Sequence, residues 1–248
     1  MITMISKRFD GVLICTDVDG TLICGGKVPE RNLDAIREYC ERGGKITFCT
    51  GRRGRELDNN PWISANAPMI GLTGGELYDF ETHSVLERYP MPDRFCDVLR
   101  RIAGTVSVKE FQLCPAGKGI VFTPDDLPDS FSEPFYKVVV VTEGFPGALP
   151  AEIAACGGEL CEINSNGSPC LEITAKGHDK GTGARRVKEF CRAEFLVGIG
   201  DAQADLSLLR ASDLPIAVGN AISELKAIAK RVVCPCPEGS IADLFESL

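Results

Sequence analysis

Residues 11–22 read Gly-Val-Leu-Ile-Cys-Thr-Asp-Val-Asp-Gly-Thr-Leu, an apolar run that ends in two carboxylates. An apolar run without alternation predicts a strand buried on both faces, as in a parallel sheet. In an open parallel sheet, ligands bind beyond the carboxyl ends of the strands. Asp17 and Asp19 follow this predicted strand directly, so we expect both side chains to line a site. A calcium loop is excluded, because the third ligand, a glycine at the correct position and the closing glutamate that it needs are absent.

The rest of the chain alternates short apolar runs with amphipathic helices, which predicts an α/β fold with a parallel sheet. The first helix is expected after Pro29, with Ile36 and Tyr39 on its apolar face, and Gly43-Gly44 should end it. Further strands are predicted at residues 45–49, 69–73, 195–199 and 214–218, and further helices at 185–191, 223–230 and 241–248.

The middle of the chain has a different pattern. Helical segments alternate there with hairpin-like strands, and Asn166-Gly167 is the preferred centre of a tight turn. The parallel pattern returns afterwards, which indicates a small α+β module inserted into the first domain. We therefore expect a core formed by residues 1–79 and 176–248, with an insert at 80–175.

Composition excludes several classes of protein. The 248 residues are 44% hydrophobic and 25% charged, which is typical of a globular domain. The net charge of −8 and the lack of a basic cluster argue against a nucleic-acid partner. No apolar run has the length of a signal peptide or a membrane span, so the expected location is the cytoplasm, with no membrane partner. The oligomeric state is left open.

Cysteine is frequent, with 12 residues, but no Cys-x-x-Cys motif is present. Cys234-Pro235-Cys236 is the only close pair, and no histidine lies near it, which argues against zinc. Most cysteines lie within apolar patterns and are interpreted as small buried side chains in a reducing compartment.

Three more polar segments lie at strand ends or at a helix start. They are Thr50-Gly51-Arg52, Lys180, and Gly200-Asp201 with Asp205. Each has an ordinary explanation when taken alone: a turn, a surface lysine, or a helix cap. Because parallel strands end at one edge of the sheet, we expect these segments to converge with Asp17 and Asp19.

Taken in this order, the four segments resemble the motifs of the haloacid dehalogenase superfamily. Asp17 to Leu22 matches the first motif, Thr50-Gly51-Arg52 the second, Lys180 the third, and Gly200-Asp201 with Asp205 the fourth. The resemblance covers nearly the whole chain. The insert lies between the second and third motifs, which is similar to the Cof-type branch with its α/β cap.

The resemblance implies a Mg²⁺-dependent phosphatase acting on a small phosphorylated metabolite, for which a sugar phosphate is expected. Asp17 is then the nucleophile that forms an aspartyl-phosphate, and Asp19 is the general acid and base. The resemblance also assigns two groups of ligands. Those of Mg²⁺ are Asp17, the main-chain carbonyl of Asp19, Asp201 and Asp205, and those of the phosphate are Thr50, the amide of Gly51, and Lys180.

Two departures from the family pattern keep alternatives open. Ala204 stands where Cof-like proteins carry an asparagine, and Thr73-Gly74-Gly75-Glu76 lacks the usual asparagine-glycine. Ala204 motivates a non-catalytic binding protein on the same scaffold. A phosphomannomutase-like enzyme shares the motif order but needs clustered basic residues in the cap, where Lys109, Lys118 and Lys137 are scattered.

The cap is expected to close over the site and to select the substrate. The sequence does not identify the cap residues that do this. Asn164, Ser165 and Asn166 are candidates, although a hairpin turn explains them equally well.

Overall fold

A computed structural model describes residues 9–58, 60, 65–104, 108–165 and 169–246. The apolar run forms β1 (Val12–Thr16), the fourth strand of a five-stranded parallel sheet. The sheet has the order β13-β12-β11-β1-β2. Its other strands are β2 (Lys45–Phe48), β11 (Phe195–Gly200), β12 (Leu214–Ala217) and β13 (Arg231–Val232). The predicted α/β class with a parallel core sheet is confirmed.

Helices from both ends of the chain pack on this sheet. Ile36 and Tyr39 are buried, as their helical spacing predicts. The first helix contacts the last one, and the helix that begins at Lys180 contacts the one that follows the fourth motif. The helices are α1 (Glu30–Glu41), α2 (Gly54–Leu57), α5 (Lys180–Phe190), α6 (Leu206–Ala211), α7 (Ser223–Ile228) and α8 (Ser240–Phe245).

The segment predicted as a further parallel strand at residues 69–73 differs from the expectation. Only a single parallel bridge, between Cys49 and Ile70, connects it to the end of β2. It forms a short strand and then joins an antiparallel sheet of three strands, β3 (Met69–Gly71), β4 (Glu76–Asp79) and β5 (Ser84–Arg88). Leu72–Gly74 is a 3₁₀ turn instead of strand.

The insert forms a third sheet, which we call the cap sheet. It is antiparallel, with the order β7-β6-β8-β10-β9. Its strands are β6 (Val108–Pro115), β7 (Ile120–Phe122), β8 (Phe135–Thr142), β9 (Cys161–Ser165) and β10 (Cys170–Ala175), and its helices are α3 (Phe95–Ala103) and α4 (Leu149–Gly157).

A separate hydrophobic cluster holds the insert together. It runs from Met91 to Ala175 and includes Phe95 and Leu99 of α3. Phe80 and Val85 instead pack against the cluster of the first domain. We therefore propose that the cap begins after β5, about ten residues later than the sequence pattern suggested.

Cys24 and Cys236 form a disulfide across 212 residues, a pairing that the sequence did not predict. The ten other cysteines have free thiols, and Cys15, Cys49, Cys96 and Cys161 are buried. Within the described residues, no helix has both the length and the apolar character needed to cross a bilayer.

Candidate active site

Three parallel strands end beside one another and bring the polar motifs together. Thr16, the last residue of β1, pairs with Phe48 of β2 and with Ile199 of β11. Asp17, Thr50 and Asp201 each follow one of these strand ends within two residues. The convergence that the strand pattern predicts is therefore present in the structure.

Lys180 lies at the centre of this cluster. It is the first residue of α5, and the preceding Asp179 caps the helix by accepting a hydrogen bond of 2.7 Å from the Thr182 amide. The Lys180 Nζ atom lies 2.7 Å from Asp17 Oδ1 and 2.6 Å from Asp205 Oδ1. All three side chains are buried. The sequence alone leaves open whether Lys180 is a surface residue. In the structure it is buried and forms ion pairs with Asp17 and Asp205.

Asp205 holds the fourth motif in place. Its Oδ2 atom accepts hydrogen bonds from the amides of Asp201 and Ala202, at 3.1 and 3.0 Å. With Oδ1 on Lys180, both oxygens of this carboxylate already have partners. The Thr21 hydroxyl donates to Asp201 Oδ1 at 3.1 Å, which connects the first motif with the fourth.

The local charges shift the pKa values of the buried groups. Burial raises the pKa of Asp17 well above its usual range; Lys180 opposes this rise, while Asp205 and Asp201 add to it. Burial and the neighbouring Asp205 also raise the pKa of Asp201. Burial alone would lower the pKa of Lys180, but Asp17 and Asp205 outweigh burial and raise it, so the lysine stays charged. Three carboxylates around one ammonium leave an excess of negative charge.

This cluster fits a divalent cation. One carboxylate oxygen from each of Asp17, Asp201 and Asp205 lies within 4.8 Å of the others. Asp17 Oδ2 is buried and has no hydrogen-bond partner among the described residues. An unpartnered buried carboxylate oxygen is costly. Mg²⁺ prefers such hard oxygen ligands, and its charge would compensate the excess of carboxylates.

Asp19 has a different environment from Asp17. Its side chain is half-exposed and accepts two hydrogen bonds from Arg52, with 2.9 Å from Arg52 Nε to Asp19 Oδ2. The carboxylate of Asp19 is therefore much more exposed to water than that of Asp17. The sequence places Arg52 in the second motif but does not predict its ion pair with Asp19.

The second motif forms a turn against the 3₁₀ turn at Leu72–Gly74. Thr50 is buried, and its carbonyl accepts a hydrogen bond of 2.9 Å from the Thr73 amide. The carbonyl of Gly51 accepts one of 2.9 Å from Lys137 Nζ, which comes from the cap. A Cβ atom at Gly51 would lie 2.9 Å from Glu172 Oε1 and 3.0 Å from Lys137 Nζ, so a larger residue here would require these two cap side chains to shift.

Sequence reasoning missed Lys137 and Glu172 as neighbours of the site. The two side chains form an ion pair of 3.1 Å, and Thr73 donates a short hydrogen bond to Glu172. Lys137 had been interpreted as one of several scattered cap lysines. Its position in β8, between the apolar residues of a buried strand, is the one sequence signal that could have identified it.

A family model described as haloacid dehalogenase-like hydrolase matches residues 14–138 and 132–245. The chain therefore belongs to the haloacid dehalogenase-like hydrolases. The resemblance to the haloacid dehalogenase family is confirmed by this match, and a structure from subclass IIB of that family shares the fold of this chain.

Two curated relatives are phosphatases. Phosphoglycolate phosphatase 2 of Saccharolobus solfataricus is 31% identical over 140 residues, which cover 53% of this chain and 57% of that protein. The pyridoxal phosphate phosphatase YbhA of Escherichia coli is 26% identical over 95% of this chain and 97% of its own length. The expected class of enzyme, a phosphoric monoester hydrolase, is confirmed.

Solved structures share the whole architecture. The subclass IIB sugar phosphatase BT4131 matches with a TM-score of 0.80 and 19% identity, over 94% of this chain and 97% of its own. The phosphatase BT1666 of Bacteroides thetaiotaomicron matches with a TM-score of 0.81 and 18% identity, over 100% of this chain and 97% of its own. At these identities the likeness establishes the fold of core and cap together.

Proposed function

We propose that this chain is a Mg²⁺-dependent phosphatase that hydrolyses a small phosphorylated metabolite, a sugar phosphate, through an aspartyl-phosphate on Asp17. The observation that carries the proposal is the state of the Asp17 carboxylate. Lys180 binds one of its oxygens, while the other is buried and has no partner among the described residues. Such an atom is placed for a metal ion or for attack on phosphorus.

In the first half of the reaction, Asp17 attacks phosphorus and the bond to the ester oxygen breaks. Asp19 donates a proton to the departing oxygen, which leaves as an alcohol. In the second half, Asp19 takes a proton from water, and the resulting hydroxide attacks the aspartyl-phosphate. Inorganic phosphate leaves and the Asp17 carboxylate is restored.

The remaining motif residues hold the phosphate and the ion. Thr50, the Gly51 amide and Lys180 are placed to contact the phosphate oxygens, where Lys180 stabilises the charge that develops in the transition state. Asp17, Asp201 and the Asp19 carbonyl are the proposed ligands of Mg²⁺, which supplies charge neutralisation and orientation when bound. Asp205 is close to the ion but already saturated, so we assign it mainly to holding Lys180 and the turn at 201–202.

We further propose that the enzyme works in the cytoplasm on a small-molecule substrate, with neither nucleic acid nor membrane as partner. Ten of the twelve cysteines have free thiols, which favours a reducing compartment, whereas the Cys24–Cys236 disulfide does not. The net charge of −8 argues against a polyanionic partner.

Phosphate release from a panel of sugar phosphates, nucleotides and p-nitrophenyl phosphate tests this function. We expect turnover that needs Mg²⁺, stops with chelator, and is absent from Asp17→Asn. Asp34→Asn, an exposed aspartate of α1, is the matched control and should keep full activity. Turnover that persists in Asp17→Asn would contradict the proposal.

A further inference from the structure

One face of the cap sheet carries the polar residues nearest the site. In the register of the cap sheet, Glu172 of β10 lies opposite Asn164 of β9 and opposite Val139 of β8. Residues two apart in a strand share a face, so Lys137 lies on this face with Val139. The opposite face of the same strands carries Val138, Val140 and Ile173, which are buried in the cap's own core.

This polar face is turned toward the motifs of the core. Lys137 Nζ binds the Gly51 carbonyl at 2.9 Å, and Glu172 accepts from the Thr73 hydroxyl. The strand β9, which carries Asn164, packs against the turn Gln203–Asp205 of the fourth motif. The three cap residues therefore stand between the second and the fourth motifs.

The charges and polar atoms of this group are largely withdrawn from water. The side chain of Lys137 is 5% exposed and that of Glu172 is 18% exposed. Burial would raise the pKa of Glu172, but Lys137 and the Thr73 hydroxyl outweigh burial and lower it, so the carboxylate is ionised. Asn164 Nδ2 is buried without a hydrogen-bond partner among the described residues. An unsatisfied buried amide is costly, so we expect an acceptor atom of the substrate to accept a hydrogen bond from Asn164 Nδ2.

The geometry of phosphoryl transfer determines which part of the substrate faces Lys137, Asn164 and Glu172. In a displacement at phosphorus, the attacking and leaving oxygens lie roughly in line. Asp17 attacks from the core, so the alcohol leaves on the opposite side, toward the cap. The buried polar group of the cap is therefore the surface that the leaving alcohol meets.

We propose that Lys137, Asn164 and Glu172 form the subsite for the leaving alcohol and select a polyol or sugar with adjacent hydroxyl groups. This inference rests on the proposed function. An ionised carboxylate accepts from a hydroxyl, while an ammonium and an amide donate to hydroxyl oxygens. A leaving group with a carboxylate would meet Glu172 at close range, and an aromatic one would leave these buried polar groups unpaired.

The test measures kcat/KM of each variant on a sugar phosphate and on p-nitrophenyl phosphate, whose leaving group has no adjacent hydroxyls. We expect Glu172→Gln and Asn164→Ala to lower kcat/KM for the sugar phosphate by about 10- to 100-fold. On p-nitrophenyl phosphate the change should stay below about threefold, because that substrate does not use the subsite. Lys109→Met and Glu143→Gln, at exposed cap positions, are matched controls and should leave the ratio unchanged.

Folding is controlled for in two ways. Asn164 Nδ2 has no hydrogen-bond partner to lose among the described residues, so Asn164→Ala should lower Tm less than single changes at the ion pair, which leave a buried charge unpaired. The double variant Lys137→Met with Glu172→Gln removes both charges together and leaves no buried charge unpaired. It should fold and should lose the preference for the sugar phosphate.

Equal losses on both substrates would overturn the inference, because they would show that these residues only position the cap or the Gly51 turn. An unchanged ratio in Asn164→Ala and in the double variant would overturn it as well. In both cases, wild-type turnover of p-nitrophenyl phosphate would leave the proposed function intact. A wild-type enzyme that hydrolyses neither ester would instead contradict the proposed function itself.

Discussion

The two aspartates of the first motif differ in their surroundings, and this difference supports the roles that we propose for them. Asp17 is buried against Lys180, whereas the side chain of Asp19 is 54% exposed and paired with Arg52. A nucleophile benefits from a fixed position beside the phosphate. A general acid and base must exchange protons with the leaving group and water, which suits the exposed partner.

The Arg52 pairing leads to a prediction for Asp19. We expect Asp19→Asn to lower kcat by about 10²- to 10⁴-fold, the usual contribution of general acid–base catalysis. Arg52→Gln should lower kcat less, because it changes only the orientation of Asp19. If Arg52 acts through Asp19, the double variant should be no slower than Asp19→Asn alone. Additive losses in steady-state kinetics would show instead that Arg52 has a separate role.

The raised pKa values of Asp17 and Asp201 predict how pH and metal change stability. A carboxyl whose pKa is raised in the folded state binds its proton more tightly there than in the unfolded chain. Stability without metal should therefore fall as pH rises from about 4, the unfolded pKa, through the raised folded pKa. Mg²⁺ binds the deprotonated carboxylates, so its stabilising effect should be larger at neutral pH than at pH 5.

Thermal denaturation with and without Mg²⁺ measures this effect. At a hundredfold excess over Kd, the ion should add about 2.7 kcal/mol to the free energy of unfolding. Asp201→Asn should lose most of this increase, and Asp34→Asn should keep it. A wild-type Tm that does not respond to Mg²⁺ at neutral pH would argue against the metal site.

Among the structural elements, two short turns shape the site, namely the second motif Thr50-Gly51-Arg52 and the 3₁₀ turn Leu72–Gly74. Thr73 has a positive φ of 61°, which is unusual for a β-branched residue. Its amide binds the Thr50 carbonyl and its hydroxyl binds Glu172. This turn lacks the asparagine-glycine of the family pattern. The structure shows that Thr73 provides contacts to both the core and the cap instead.

The start of α5 offers a test of how closely Lys180 must be positioned. Gly181 packs against α6, and a Cβ atom there would lie 2.2 Å from the Ser207 carbonyl oxygen. Gly181→Ala should therefore push α5 away from α6, displace Lys180 and lower the free energy of unfolding by about 1–3 kcal/mol. We expect a lower Tm together with a lower kcat.

Gly104→Ala is the matched control, since the nearest atom to its added Cβ would be the Arg101 carbonyl oxygen at 3.9 Å. It should change neither Tm nor kcat. Wild-type stability and activity in Gly181→Ala would contradict the close packing of α5 on α6.

For the whole molecule, the sequence predicted the features that depend on the local pattern of apolar and polar residues. The apolar runs predicted the parallel strands, and the positions of Asp17, Thr50 and Asp201 after them predicted a common edge. The 3.6-residue period predicted the buried face of α1. These features are set within one element or by the general rule that ligands bind at strand ends.

Contacts between distant segments could not be predicted in this way. Lys137 reaches Gly51 across 86 residues, and Cys24 pairs with Cys236 across 212. Residue type alone does not distinguish Lys137 from the exposed cap lysines Lys109 and Lys118. Only the folding of the cap onto the core brings Lys137 to the Gly51 carbonyl. The third expected parallel strand ends early for a related reason, since β3 pairs antiparallel with β4, which in turn pairs with β5.

We propose that core and cap together enclose the Asp17 carboxylate, which becomes phosphorylated during turnover. Acid quenching of the enzyme in the presence of a hydrolysed substrate and Mg²⁺, followed by borohydride reduction and peptide mass spectrometry, tests it most directly. We expect Asp17 to be converted to homoserine, because borohydride reduces an acyl phosphate, and Asp19 to be unmodified. Turnover without modification of Asp17 at any quench time, or modification at another residue, would contradict it.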